Sequence, residues 1–104
     1  MQITADKVAE VIILARDSDR SRAEFASFVG NLTQEEQAEL VAIMWIGRDS
    51  FDAAEWDEAY ATALQEATTP TQDYLRGSPH LADHLENGLD ALGISATSEE
   101  DELY

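Results

Sequence analysis

Residues 33–47 constrain the fold more than any other stretch: Thr33-Gln-Glu-Glu36, then Leu40-Val-Ala-Ile-Met-Trp-Ile46, then Gly47. Thr33 and Glu36 have the spacing of a capping box, in which the hydroxyl accepts from the backbone three residues on and the carboxylate reaches back. The helix they open carries Leu40, Val41, Met44 and Trp45 on one face, with Glu35, Glu36 and Glu39 off it. Ile43 and Ile46 widen the apolar surface beyond a single stripe, which predicts the central helix of the fold. Gly47 is expected to close it as the left-handed residue just past the last turn.

The rest of the chain reads as further short helices. Thr4 is a good N-cap, and Val8, Val11, Ile12 and Ala15 follow as one apolar stripe. A second helix is expected from about Ser21 to Val29, with Phe25, Phe28, Val29 and Leu32 as its apolar side and Gly30-Asn31 as its stop. Asp52-Ala-Ala-Glu55 signals another start, after which Trp56, Tyr60, Ala63, Leu64 and Ala67 share a helical face. Thr69-Pro70 opens a short helix, with Pro70 at its first position and Gln72 completing a box; it carries Tyr74 and Leu75 and stops at Gly77. Ser78-Pro79 opens the last, lined by Leu81, Leu85, Gly88, Leu89 and Leu92 and closed by Gly93. No strand alternation longer than four residues appears. The expectation is an all-α single domain over residues 1–93, five to six short helices in an orthogonal or bundle-like array, followed by a disordered acidic tail over 94–104.

The net charge of −16 is unevenly distributed. Residues 1–30 hold four basic groups against five acids, whereas 31–104 hold two, Arg48 and Arg76, against seventeen. Such a field argues against nucleic acid, which binds through Lys and Arg on phosphates, and against anionic membranes. The longest unbroken apolar run, Leu40 to Ile46, falls far short of the ~20 residues that span a bilayer. There is no cysteine, hence no disulfide and no thiolate site, which fits a reducing cytoplasm. A basic protein partner, a cation, or simple solubility remain as reasons for the acidity; a homodimer stays open as a separate association. A salt-rich cytoplasm would select the same composition by screening self-repulsion.

Candidate sites are few. His80 and His84 stand one helical turn apart with Asp83 between them, the spacing of a helical zinc pair, but a site needs a third protein ligand. Asp17-Ser-Asp-Arg-Ser21 imitates the opening of a calcium loop, yet Arg22 stands where glycine is needed and Phe28 where the bidentate glutamate belongs. Asp49, Asp52, Glu55, Asp57 and Glu58 gather at a helix start, where the macrodipole already favours acid. Arg48 can tie the Gly47 turn to an acidic neighbouring helix, or clamp the carboxylate of a ligand or partner. Arg76, Trp45 and Trp56 complete the set of contact candidates, the tryptophans reading first as core. No catalytic set and no cofactor motif is complete.

Glu39-Leu-Val-Ala-Ile-Met-Trp-Ile-Gly-Arg-Asp49, Phe51 and Trp56, Tyr74-Leu-Arg-Gly-Ser-Pro-His-Leu81 and Leu85-Glu-Asn-Gly-Leu89 together resemble the bacterial family known as domain of unknown function 3775. The resemblance covers nearly the whole chain except the acidic tail and implies a helical domain; it carries over no activity and no catalytic residue. The function expected is a non-enzymatic protein–protein interaction module. The alternatives are a metal-binding or small hydrolytic protein using His80, His84 and nearby carboxylates, and a nucleic-acid mimic for a basic partner.

Overall fold

A computed structural model describes residues 3–16, 22–66, 70–78 and 80–93. The acidic tail expected over 94–104 and the Asp17–Ser21 connection lie outside the described residues, as do Ala67, Thr69 and Pro79. In chain order the helices are α1 (Ala5–Arg16), α2 (Arg22–Gly30), α3 (Gln34–Gly47), α4 (Trp56–Gln65), α5 (Thr71–Arg76) and α6 (Leu81–Ala91), with one turn of 3-10 helix at Ala53–Glu55. The fold is all-α: the described residues include no strand. None of these helices is long and apolar enough to cross a membrane.

Every residue from Ala38 to Ile46 is buried, and Leu40, Ala42, Ile43 and Met44 lose all contact with solvent. The helix is therefore covered all round rather than on one stripe, chiefly by α6 on one side and α4 on another, with α5 adding a smaller contact. Helix α1 packs on α6 and α2, and α2 on α5. Each fully buried Leu or Ile contributes roughly 1.5–3 kcal/mol, so this one helix concentrates much of the apolar driving force. From α1 come Val8, Val11, Ile12 and Leu14, from α2 Phe25 and Val29, and from α6 Leu81, Leu85 and Leu89.

Two acids of α3 that lie off the apolar face are nevertheless buried: Glu36 and Glu39 are 6% and 4% exposed. Buried carboxylates are costly unless paired and hydrogen-bonded, and the N-terminal segment supplies their partners. Lys7, the only lysine in the chain, places its Nζ 2.6 Å from Glu36 Oε2. The backbone N–H of Ile3 donates to Glu39 Oε1 at 2.8 Å. Glu36 also closes the capping box: Thr33 N–H donates to Glu36 Oε1 at 3.0 Å, and Glu36 N–H donates to Thr33 Oγ1 at 3.1 Å. The Lys7 hydrogen bond, then the Thr33 backbone bond, hold the Glu36 pKa below its ordinary 4.5 against the opposing effect of burial.

The end of α3 also differs from expectation. Gly47 is still helical, and the left-handed residue is Asp49, with φ 67°. Ser50 N–H donates to Trp45 O at 2.9 Å and Asp49 N–H to Ile46 O at 3.1 Å, the two bonds of a Schellman motif with Asp49 at C′. Gly47 serves a tertiary purpose. A Cβ built there would overlap the carbonyl of His84 and come within 2.8 Å of Gly88 N; one built on Gly88 would overlap the carbonyl of Ile43. The backbones of α3 and α6 touch at this crossing.

Other boundaries move slightly. Pro70 is the N-cap of α5 rather than its first residue, and His80, at φ 57°, is the N-cap of α6. Gly77 ends α5 with a right-handed φ of −76°, whereas Gly93, at φ 74°, closes α6 as expected. On α4 the buried positions are the small Ala59 and Ala63; Trp56 and Tyr60 pack against the core partly buried, and Leu64 is 36% exposed. Burial, then the charges of Glu39 and Glu35, raises the pKa of the Tyr60 hydroxyl above 10.0.

Two stability measurements check this account. Gly47→Ala is expected to cost at least the ~1–3 kcal/mol of core overpacking, whereas Asp49→Gly, which relieves a left-handed side chain, should gain about 0.5–1 kcal/mol. Urea unfolding that finds Gly47→Ala neutral would remove the crossing constraint. Glu36 provides the second: its folded-state pKa is lowered, so its contribution is present above 4.5 and is lost as the pH falls through the folded value. The stability difference between the native chain and Glu36→Gln should therefore shrink below pH 4.5. A difference that stays constant into the acid range counts against the Lys7–Glu36 bond.

Candidate functional site

Where α3, α4 and α5 meet, the packing leaves a groove of about 640 Å³. Its floor is the face of α3 carrying Ala38, Val41 and Trp45, and its walls are Ala63 and Leu64 of α4 and Pro70 and Tyr74 of α5. Leu64 and Tyr74 are 36% and 39% exposed, two of the three large apolar side chains that face solvent among the described residues. The third, Ile13, stands on α1 away from the groove.

Sequence alone explains Trp45 as core, and it is 93% hidden, but its edge is polar and directed. The indole Nε1–H donates to the Tyr74 hydroxyl at 3.0 Å, satisfying a donor whose burial would otherwise be costly. Phe51 stacks on Trp45 with ring centroids 5.7 Å apart and planes at 28°, so the ring is held from the turn that ends α3. Among the described residues the remaining lining is neutral amide and hydroxyl, Gln34, Gln37, Thr71 and Gln72, with Glu66 as its one carboxylate. Gln37 is itself committed, donating to Val29 O at 2.9 Å and to Leu32 O at 3.2 Å. The groove is thus a rigid aromatic anchor in an amide-rimmed cleft. It holds no pairing of nucleophile and base among the described residues.

The other candidates are dispersed. Trp56 lies at the start of α4, half-buried and stacked on Tyr60 at 6.4 Å, outside the groove. Arg48 is exposed at the C-cap of α3; its Nε donates to Ser50 Oγ at 2.9 Å, and it enters no salt bridge among the described residues. The expected tie from Arg48 to an acidic helix is therefore replaced by a local bond within the turn. Arg76, His80 and Asp83 come together at a second cavity with Arg16, and Arg16 pairs with Glu86 and, at 3.8 Å, with Asp83. His84 is partly buried within α6, and its Nδ1 is enclosed without a hydrogen-bond partner. No group of three side chains able to hold a metal gathers among the described residues.

Tyr74 and Leu64 are the residues sequence reasoning did not single out. Both fit their helices' apolar patterns, and only the placement of the short α5 beside α3 reveals them as groove walls. Arg16 likewise gave no sequence signal, because it reaches the His80 region only through the packing of α1 on α6.

A family model described as protein of unknown function (DUF3775) matches residues 22–94, so the likeness begins at α2 and leaves out α1, a narrower span than the near-complete coverage expected. No curated protein and no solved structure matches the chain.

Tyr74→Phe isolates the bond that shapes the groove. It should cost about 1 kcal/mol of stability and speed hydrogen exchange at the Trp45 indole, read by NMR. An unchanged exchange rate would mean that the Tyr74 hydroxyl does not hold that N–H.

Proposed function

Because the chain belongs to the DUF3775 family of proteins of unknown function, we propose a function from its own surface: a non-enzymatic interaction module that docks a basic, apolar-anchored segment of a partner protein. The observation that carries this reading is the groove between α3, α4 and α5, where Tyr74 and Leu64 stand exposed beside the held ring of Trp45. Tyrosine and tryptophan dominate the energetics of protein interfaces, because they bury a large rigid area at low entropic cost.

Charge supplies the occupant's sign. With −16 net charge overall and Glu66 at the groove edge, lysine or arginine flanking the partner's apolar anchors would be attracted. An acidic segment would be repelled. Such steering acts mainly on the association rate and weakens with salt, while the apolar anchors govern dissociation.

A synthetic amphipathic helix of leucine and lysine, titrated into the full chain, tests the reading, with its leucine–glutamate counterpart as control. NMR shifts are expected at the Trp45 indole, Leu64 and Tyr74, with affinity falling as salt rises. Leu64→Glu should weaken binding about tenfold or more, a loss of ~1.4 kcal/mol. Shifts spread over the acidic surface without focus on the groove, or an unaffected Leu64→Glu, would sink it.

A further inference from the structure

Helix α6 carries the one Asn-Gly pair of the chain, Asn87–Gly88; the other asparagine, Asn31, precedes Leu32. The two residues of the pair have opposite surroundings, Asn87 exposed and Gly88 buried. The crossing with α3 imposes the glycine, since a Cβ built on it would overlap the Ile43 carbonyl and come within 2.8 Å of Ile43 Cγ2. The side chain of Asn87 enters no hydrogen bond among the described residues. A free carboxamide therefore stands next to a backbone nitrogen that no side chain shields.

An asparagine followed by glycine is the pairing most prone to deamidation, because the missing Cβ leaves the next nitrogen unobstructed and the backbone free to turn. The Gly88 nitrogen loses its proton to water and attacks Asn87 Cγ; a C–N bond forms, the Cγ–Nδ2 bond breaks, and ammonia leaves. Water then opens the five-membered imide. Addition at Cγ gives aspartate. Addition at the main-chain carbonyl gives isoaspartate, whose backbone runs through Cβ and Cγ and is one carbon longer. Nothing is oxidised or reduced, and water is the only co-reactant. Within α6 each requirement is refused. A helical ψ of about −42° turns the nitrogen away from Cγ, and the Gly88 N–H is directed at the His84 carbonyl one turn back. The next peptide is held too, as Leu92 N–H donates to Gly88 O at 3.0 Å. Leu85 and Leu89, both buried, tie this stretch to the core on either side of the pair.

We propose that Asn87–Gly88 is a deamidation site that the native fold silences and the opening of α6 exposes, so that its isoaspartyl product marks chains that have unfolded and keeps them from refolding. The consequence follows from where the carbon is added. Leu81 and Leu85 precede the insertion, whereas Gly88 and Leu89 follow it. One more main-chain carbon displaces the second pair against the first, along the helix and around it. Gly88 then no longer meets the Ile43 carbonyl while Leu85 fills its place in the core. That crossing has no room for an added atom, and close-packed interiors do not absorb such a shift. The aspartyl product keeps the native backbone and adds a charge at an exposed position beside Glu86 and Asp90, so it refolds. This device is independent of the groove between α3, α4 and α5.

The full chain is incubated at neutral pH in buffer and in guanidinium chloride above its unfolding midpoint. Peptides from each sample are scored by mass spectrometry for replacement of amide by carboxyl, with isoaspartate and aspartate separated by chromatography. Conversion of Asn87 is expected to be about a hundredfold slower in buffer, or slower still, because it draws only on the rarely opened state. In denaturant Asn87 should outpace Asn31, whose leucine neighbour obstructs the attack. Gly47→Ala, which loosens the crossing, should speed conversion in buffer about tenfold or more. Should that variant not fold, denaturant just below the midpoint loosens the native chain to the same end. On dilution from denaturant, the aspartyl chains should recover the native melting transition and the isoaspartyl chains should not. Similar rates in buffer and denaturant overturn the proposal, as does Asn31 keeping pace with Asn87. A rate in buffer that ignores the loosening overturns it too, and so does a native melting transition in the isoaspartyl chains.

Discussion

The contact on which the rest of the structure depends is the crossing of α3 and α6, where two backbones meet with no side chain between them. Helices ordinarily pack with their axes 8–10 Å apart, separated by side chains. Here Gly47 lies against the His84 carbonyl and Gly88 against that of Ile43, so a single added carbon on either helix has nowhere to go. This close approach lets Leu85 and Leu89 of α6 reach the core beside Ile43 and Met44. It also displaces the chain reversal: because Gly47 is needed at the crossing, the left-handed turn falls two residues later, on Asp49. Aspartate tolerates that conformation better than most residues, and the Trp45–Phe51 stack covers the turn it makes.

A second dependency runs from the N-terminus. The family likeness begins at Arg22, yet α1 is no appendage. It buries Val8, Val11, Ile12 and Leu14, and the segment around it answers the two enclosed carboxylates of α3 through Lys7 and the Ile3 amide. Removing one partner of a buried charge leaves the other charge without compensation. The single lysine of the chain and two glutamates twenty-nine or more residues away thereby fix α1 against the start of α3. With α1 so placed, Leu14 and Arg16 become one wall of the second cavity.

These two dependencies also mark what was legible in the sequence. The helix count, the Thr33–Glu36 box, the stripe of α1 and the Gly93 stop depend on neighbours within one or two turns, and periodicity exposes such relations directly. The role of Gly47 does not. A glycine at a helix end satisfies both a local and a tertiary explanation, and only the position of His84 and Gly88, some forty residues on, separates them. The burial of Glu36 and Glu39 is hidden for the same reason, since nothing adjacent announces Lys7 or Ile3 as partners. Of the candidate contacts, Trp45 lines the groove and Arg76 the second cavity, whereas Trp56 and Arg48 line neither. The residues that complete each cavity, Tyr74 and Leu64 in one and Arg16 in the other, are brought in by helix docking that no local pattern encodes.

Both surfaces converge on α5, and the physics of a short helix explains why. Six residues form too few internal hydrogen bonds to hold a helix on their own, so the position of α5 is set by what it packs against. Leu75, fully buried, fixes it to the core; the Trp45–Tyr74 hydrogen bond fixes it to α3. Those two adjacent residues face opposite tasks, one anchoring the helix and the other shaping a groove, and Arg76 follows them into the cavity.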